Sequence, residues 1–344
     1  MANLPERGAI DDNSLHIIDD GGVIIEGEKI SEIGSFSELN KNISIVKEIE
    51  FPSILLPGFI DSHTHVCHYG SRSDEYSKRN SGVSYQQILE EGGGIHNTMN
   101  STSNSTDDQL KHDTLRRLKK HFLDGVLTCE VKSGYAPNLD DEIRMLQIIN
   151  EIDNKNEIDL IPTCLAAHVT PKSFESSKSY LDSILNDLLP KIKEDNLSNR
   201  VDIFIEENAF SVSEASTFLD KVKNNFSITA HANQFTSGGV KVGVDNGAVS
   251  VDHLEVITDK EINYLSKSET TGVVLPGCSL GLGIPFAPAR KLLDNNCKVS
   301  IASDWNPGSA PMGDLLIQAA LLGSLEKLSN AEVLAGITFS TSHL

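Results

Sequence analysis

Residues 54–70 read ILLPGFIDSHTHVCHYG, an apolar run closing on three histidines and a cysteine within six positions. The run from Ile54 to Asp61 is apolar and branched enough for a buried strand. On a strand, side chains at i and i+2 share a face, so His63 and His65 project side by side. Two imidazoles so placed can reach one ion at about 2.0–2.1 Å each. Taken alone, the pair is equally well explained as two hydrogen-bonded histidines at a strand end. What decides between the readings is whether further ligands stand at matching places downstream.

The same rhythm of apolar strand, polar turn and amphipathic helix recurs along the chain. After the first candidate come GVLTCEVKSG (125–134), IDLIPTCLAAH (158–168), RVDIFIEENA (200–209) and FSITAHAN (226–233). AVSVDHLEV (248–256), TTGVVLPG (270–277) and KVSIASDWNPG (298–308) complete a set of eight. Between them lie helical patterns. Asp140 to Ile152 places Ile143, Leu146 and Ile149 on one face, and 211–225 opens on Ser211 or Ser213 as N-cap with Glu214 in the first turn. Strands alternating with helices mean βαβ units and a parallel sheet, and eight units predict a (β/α)8 TIM barrel. An open doubly wound sheet is the structural competitor, although no GxGxxG follows an early strand.

Upstream, Gly22 to Leu39 alternates short apolar residues with glycine and reads as a hairpin set. The expected organisation is a partial β-sandwich over 1–50 and a barrel over 51–344. The chain ends about one helix after the eighth strand, so the small sandwich is expected to lack partner strands. The segment from His68 to Asp124 is longer than a usual crossover, and long loops above barrel strands tend to be functional. Within it, EGGGIHNT (91–98) is expected to cover the site, and 100–108 to form a solvated turn leading into a helix N-cap.

Composition narrows the function. A net charge of −20 repels phosphate backbones, which argues against nucleic acid and requires a locally placed arginine for any anionic substrate. The five cysteines are scattered without a CxxC pair, the pattern of a reducing compartment. No apolar run reaches membrane-span length. A soluble, cytoplasmic protein is expected.

The candidate strand ends carry polar side chains: His63 and His65, Lys132 and Tyr135, His168, Glu206 and Glu207, His231, His253 and Asp304. Only the seventh ends without one. Polar groups do not collect at one rim of a core without a task, and catalytic residues of barrels stand at the C-terminal strand ends. Two histidines from one strand with His231 and Asp304 make an N3O set suited to one divalent metal, zinc or iron. Such an ion lowers the pKa of bound water from 15.7 towards about 7. His253 and His168 are then spare imidazoles for proton transfer or substrate. Cys67 and His68 are not expected to ligate, and Lys132 is expected in a structural ion pair.

PGFIDSHTH (57–65), EVKSGY (130–135), HANQ (231–234), VDHLE (251–255) and SDWNPGS (303–309), in this order, resemble the imidazolonepropionase family of the amidohydrolase superfamily. The first motif marks only the superfamily. The stretches 71–95, 130–146 and 304–312 are more specific, and the likeness runs from about Leu56 to Thr338. The resemblance implies hydrolysis of the cyclic amide of 4-imidazolone-5-propanoate to N-formimino-L-glutamate in histidine breakdown, by a metal-dependent homodimer. It implies His63, His65, His231 and Asp304 as metal ligands. It implies Arg72, Tyr135, His168, Gln234, Asn306, Gly308 and Ser309 as substrate contacts, and His253 as the group that activates water.

An arginine at 72 can offer a guanidinium fork to the propionate carboxylate. His168 is expected to steady the developing oxyanion. Gln234 stands where some relatives use Glu and cannot be a general base, so proton transfer falls to His253 and Asp304. Two alternatives stand beside this reading. One is another cyclic amidase or heterocycle deaminase of the superfamily; the other is a truncated barrel that binds metal without turnover.

Overall fold

The alternating N-terminal segment folds as a hairpin. Strand β1 (Gly21–Glu26) pairs antiparallel with β2 (Lys29–Ser35), and Gly27 takes φ +64° in the turn, where a side chain would be strained. Ile25, Ile30 and Ile33 of this two-stranded sheet face solvent. The structure is a computed structural model that describes residues 4–42, 46–49, 51–83, 87–88, 93–153 and 157–344.

Eight parallel strands follow: β3 (Phe59–Asp61), β4 (Val126–Lys132), β5 (Asp159–Ala167), β6 (Arg200–Ile205), β7 (Ser227–Ala232), β8 (Ser250–His253), β9 (Thr271–Val274) and β10 (Lys298–Ile301). Each pairs with its sequence neighbour. All eight expected strands are present, and what separates a barrel from an open sheet is the meeting of β3 with β10. Thr64 bridges Asp304 in parallel register, with the His65 amide donating to the Asp304 carbonyl at 3.0 Å. The Ser303 amide donates to the Asp61 carboxylate at 3.0 Å, and the hydroxyls of Ser62 and Ser300 are 3.1 Å apart. Side chains and one bridge close the barrel here, in place of a full ladder.

Strand β3 is shorter than its sequence promises. Ile54 and Leu55 are exposed, and pairing with β4 begins only at Phe59. Apolar character without a ladder partner does not make a strand.

The helices match their patterns. Leu139–Asp153 buries Ile143, Leu146, Ile149 and Ile152, and Ser211 caps Val212–Val222 in a capping box with Glu214. The long crossover holds helices Ser73–Asn80, Ile95–Ser103 and Asp107–Leu123. The expected turn at 100–108 begins later than read, because the helix runs to Ser103 before Thr106 caps the next one. Of the glycine-rich stretch 91–98, residues 91 and 92 lie outside the described residues, as do 84–86 and 89–92 of the motif 71–95.

Candidate metal centre

At the C-terminal ends of β7, β8 and β10 the backbone turns sharply. Asn233, His253 and Asp304 take φ of +58°, +85° and +64°. Non-glycine residues held there cost of order 1–3 kcal/mol each and persist where the surroundings over-determine them. Each turn re-aims a polar side chain at, or next to, the barrel mouth.

Beyond β3 the chain stays extended because Thr64 is pinned between Glu130 on one side and its bridge to Asp304 on the other. Its amide donates to the Glu130 carboxylate at 3.2 Å and its hydroxyl to the Glu130 carbonyl at 2.6 Å. His63 and His65 therefore point the same way. Arg117 holds the next turn by donating to the carbonyls of Val66 and His68 at 2.9 and 2.8 Å.

Four donors converge above this floor. Nε2 of His65 lies 3.3 Å from Nε2 of His231 and 3.5 Å from Oδ1 of Asp304, which is 3.6 Å from Nε2 of His63. Tetrahedral bonds of about 2.0–2.1 Å have edges of about 3.3–3.4 Å, which these three separations approach; by mutual proximity within 4.8 Å the donors fall into two groups that share His63, one with His65 and Asp304 and one with His231 and His253. Nε2 of His63 and Oδ1 of Asp304 are buried without a hydrogen-bond partner, a costly state unless something completes them.

The far nitrogens set the tautomers. Nδ1 of His63 is 2.7 Å from Asp252, and Nδ1 of His231 is 3.1 Å from Asp202. A carboxylate accepts, so Nδ1 carries the proton and Nε2 turns its lone pair inward. Burial, reinforced by neighbouring cations, pushes His63 and His65 well below the usual imidazole range, and burial brings His231 down to about 4. Burial raises Asp304 to about 6, against the pull of His253. Neutral imidazoles and one carboxylate are the protonation states a cation needs.

Beneath the donors, Lys132 sits 2.7 Å from both Glu130 and Asp202 and 3.9 Å from Asp252. It is the structural ion pair read from the sequence. Sequence reasoning passed over Glu130, Asp202 and Asp252. The signal was there: a lone charge inside an apolar parallel strand must face a partner.

The remaining expected residues divide. The His253 ring centroid lies 5.8 and 5.3 Å from those of His63 and His231, bordering the donors. Its Nδ1 is 3.5 Å from Glu255, which raises its pKa against the effect of burial. His168 stacks on His65 at 5.3 Å and lies 5.6 Å from Tyr135. Nδ1 of His168 donates to the Gly134 carbonyl at 3.1 Å, and burial brings the ring down to about 3. Its Nε2 is therefore an acceptor.

Ser309 donates to Asp304 Oδ2 at 2.6 Å, leaving Oδ1 to the centre. Asn306 turns its amide oxygen onto its own loop, accepting from the Gly308 amide at 2.8 Å. Arg72 packs on Gly308, where an added Cβ would stand 2.1 Å from Nη1. Its Nε donates to Glu75 at 2.8 Å, a partner that sequence reading did not foresee. Gln234 turns its amide nitrogen to Cys278, donating to Sγ at 3.1 Å.

No family model matches the chain. It is 36 % identical to an imidazolonepropionase from Thermoanaerobacter pseudethanolicus over 99 % of its own length and 82 % of the relative's. It is 38 % identical to one from Bdellovibrio bacteriovorus over 97 % and 80 % of the two chains. Among solved structures, an adenosine deaminase from Xanthomonas campestris with bound zinc overlays with TM-score 0.69 at 12 % identity, covering 98 % of this chain and 78 % of that one. A guanine deaminase from C. acetobutylicum overlays with TM-score 0.67 at 16 % identity, over 97 % and 84 %. These distant structures speak for the barrel alone. The identities and coverage of the curated relatives carry the assignment, and the chain belongs to the imidazolonepropionase family.

Proposed function

We propose that this chain hydrolyses the ring amide of 4-imidazolone-5-propanoate to N-formimino-L-glutamate, with one divalent metal, zinc or iron, held by His63, His65, His231 and Asp304. The observation that carries the metal reading is the chain of three close approaches, His231 to His65, His65 to Asp304 and Asp304 to His63, at 3.3–3.6 Å at the barrel mouth. Such an ion polarises a carbonyl and lowers the pKa of water.

The chain's own residues supply the rest. Arg72, on the loop above the mouth, takes the propionate carboxylate, and Gly308 leaves room for its guanidinium. His253 accepts the proton of the attacking water, with Glu255 opposite Nδ1 to stabilise the imidazolium. Asp304, steadied by Ser309, relays the proton taken up by His253 towards the departing ring nitrogen. His168 is assigned to accept a hydrogen bond from a ring N–H. A neutral imidazole with its proton on Nδ1 has none on Nε2 for an oxyanion, so this role replaces the oxyanion role. Tyr135 packs the ring against His168, and Gln234, Asn306 and Ser309 complete the pocket.

A cytoplasmic homodimer without nucleic-acid partners completes the reading. Five free, buried cysteines support the reducing compartment and the strongly acidic composition argues against nucleic acid, while the homodimer rests on the family resemblance alone. Among the described residues no helix is long and apolar enough to cross a membrane.

The test is turnover of freshly made imidazolone propionate by ultraviolet absorbance, on protein of counted metal content. Activity that scales with about one metal per chain and stops with chelator is the expected result. A folded, metal-loaded chain that leaves this substrate intact while turning over guanine, cytosine or hydantoin would overturn it. His253→Ala is expected to lower kcat by about 10²-fold or more while the ion still binds; near-native turnover would remove His253 from the mechanism.

A further inference from the structure

A further group of metal-ligating side chains shares His253 with the cluster of His63, His231 and His253. A ring nitrogen of His253, a carboxylate oxygen of Glu255 and Sγ of Cys278 lie within 4.8 Å of one another, all buried. Nδ1 of His253 and Oε2 of Glu255 face each other at 3.5 Å, and neither has a hydrogen-bond partner. That spacing is long for a charge-assisted hydrogen bond of about 2.7–2.9 Å. It is close to the edge of about 3.3 Å between two ligands on one tetrahedral ion.

The surroundings leave these atoms available. Ser279 holds the other oxygen of Glu255 at 3.1 Å, so Oε2 is turned towards His253. Consecutive left-handed residues, His253 and Leu254 at φ +85° and +72°, fold the chain so that side chains 253 and 255 meet. The groups that hydrogen-bond Cys278 are the Gln234 amide, at 3.1 Å, and the Ser309 hydroxyl, both neutral.

We propose that His253, Glu255 and Cys278 form a second, softer divalent-cation site whose occupancy inhibits the enzyme. A thiolate, a carboxylate and a neutral imidazole around a dication sum to zero charge, the balance a buried site needs. The sulfur selects zinc, cobalt or cadmium over magnesium or calcium. Binding expels the thiol proton of Cys278 to solvent. It also occupies the ring nitrogen of His253 that faces Glu255, which blocks that imidazole from cycling through its protonated form. The inhibition rests on the role given to His253 above; the binding does not.

Cobalt(II) titration of the metal-stripped full chain separates the two. The four-donor centre contains no sulfur, so cobalt there gives visible d–d bands only. Filling the second site is expected to add a near-ultraviolet thiolate-to-cobalt band equivalent to about one bond per chain. Cys278→Ser and Cys278→Ala should lose that band and keep the d–d bands. Turnover should fall about 10²-fold as the second equivalent binds, and the two variants should escape that fall. No thiolate band at saturating cobalt, or a band that persists in both variants, overturns the site. A band that depends on Cys278 without loss of turnover overturns the inhibition alone. A thiolate band in the parent with no d–d bands left in the two Cys278 variants would count against the four-donor centre and not against this one.

Discussion

The Lys132 ammonium stands 2.7 Å from the Asp202 carboxylate, and solvent reaches neither side chain. Through its other oxygen Asp202 meets Nδ1 of His231, while Asp252, 3.9 Å from the same ammonium, meets Nδ1 of His63. One buried cation thus stands under two of the four converging donors. Burial would strip its proton, but Asp202 and Glu130 hold the pKa above the usual lysine value. His231 and Lys132 likewise keep Asp202 well below the carboxylate range against burial.

Lys132→Met leaves three buried carboxylates without their cation. Breaking a buried pair from one side costs about 3–5 kcal/mol, visible as a lower denaturant midpoint. Where the variant folds, competition with a chelator should show zinc held about 10–100-fold more weakly, as for other losses behind metal-bound histidines. Parent-like affinity would mean the network only fills the barrel.

Arg72 and Gly308 make a coupled pair. Arg72→Met removes charge-assisted hydrogen bonds worth about 1.5–3 kcal/mol, so KM for the carboxylate substrate should rise roughly 10–100-fold with kcat little changed. Gly308→Ala puts a methyl where the guanidinium lies and should move KM in the same direction. Because both act through one contact, the double variant should be no worse than Arg72→Met. Additive losses in KM would separate the two residues.

Much of this site could be read from the chain because its converging donors stand at strand ends, where a histidine or aspartate interrupts an apolar run. SHTH and SDWNPG show this directly. The layer behind was harder to see. Asp202 and Asp252 sit inside strands whose apolar neighbours dominate the pattern, and only three-dimensional closure brings both to Lys132. Glu75 is three residues from Arg72 on a surface-like polar helix, yet it is buried and also accepts the Gly94 amide at 3.0 Å. The roles of Glu255 and Cys278 depend on the turn after β8, which no strand periodicity encodes. The over-long reading of β3 has the opposite cause: Ile54 and Leu55 are apolar without a neighbour to pair with.

Glu142 makes stability depend on pH near neutrality. It lies in helix Leu139–Asp153, accepts from the Ser133 hydroxyl and from the Gly134 amide at 3.1 Å, and burial pushes its pKa up from 4.5 to about 7. Between those values the folded chain keeps a proton that the unfolded chain has lost, so stability falls as pH rises. The contribution is complete below pH 4.5 and gone above about 7, a difference of roughly 3 kcal/mol. Glu142→Gln cannot ionise and should flatten this slope. Relative to the parent, the variant should gain stability from pH 5 to pH 8 in denaturant melts, and the difference cancels groups common to both proteins. The substituted amide would keep an acceptor for one of the two donors, so at pH 5 the variant should be the weaker by about 1 kcal/mol. Parallel pH profiles for the two proteins would show that Glu142 is ionised in the fold, with its Ser133 and Gly134 contacts outweighing burial.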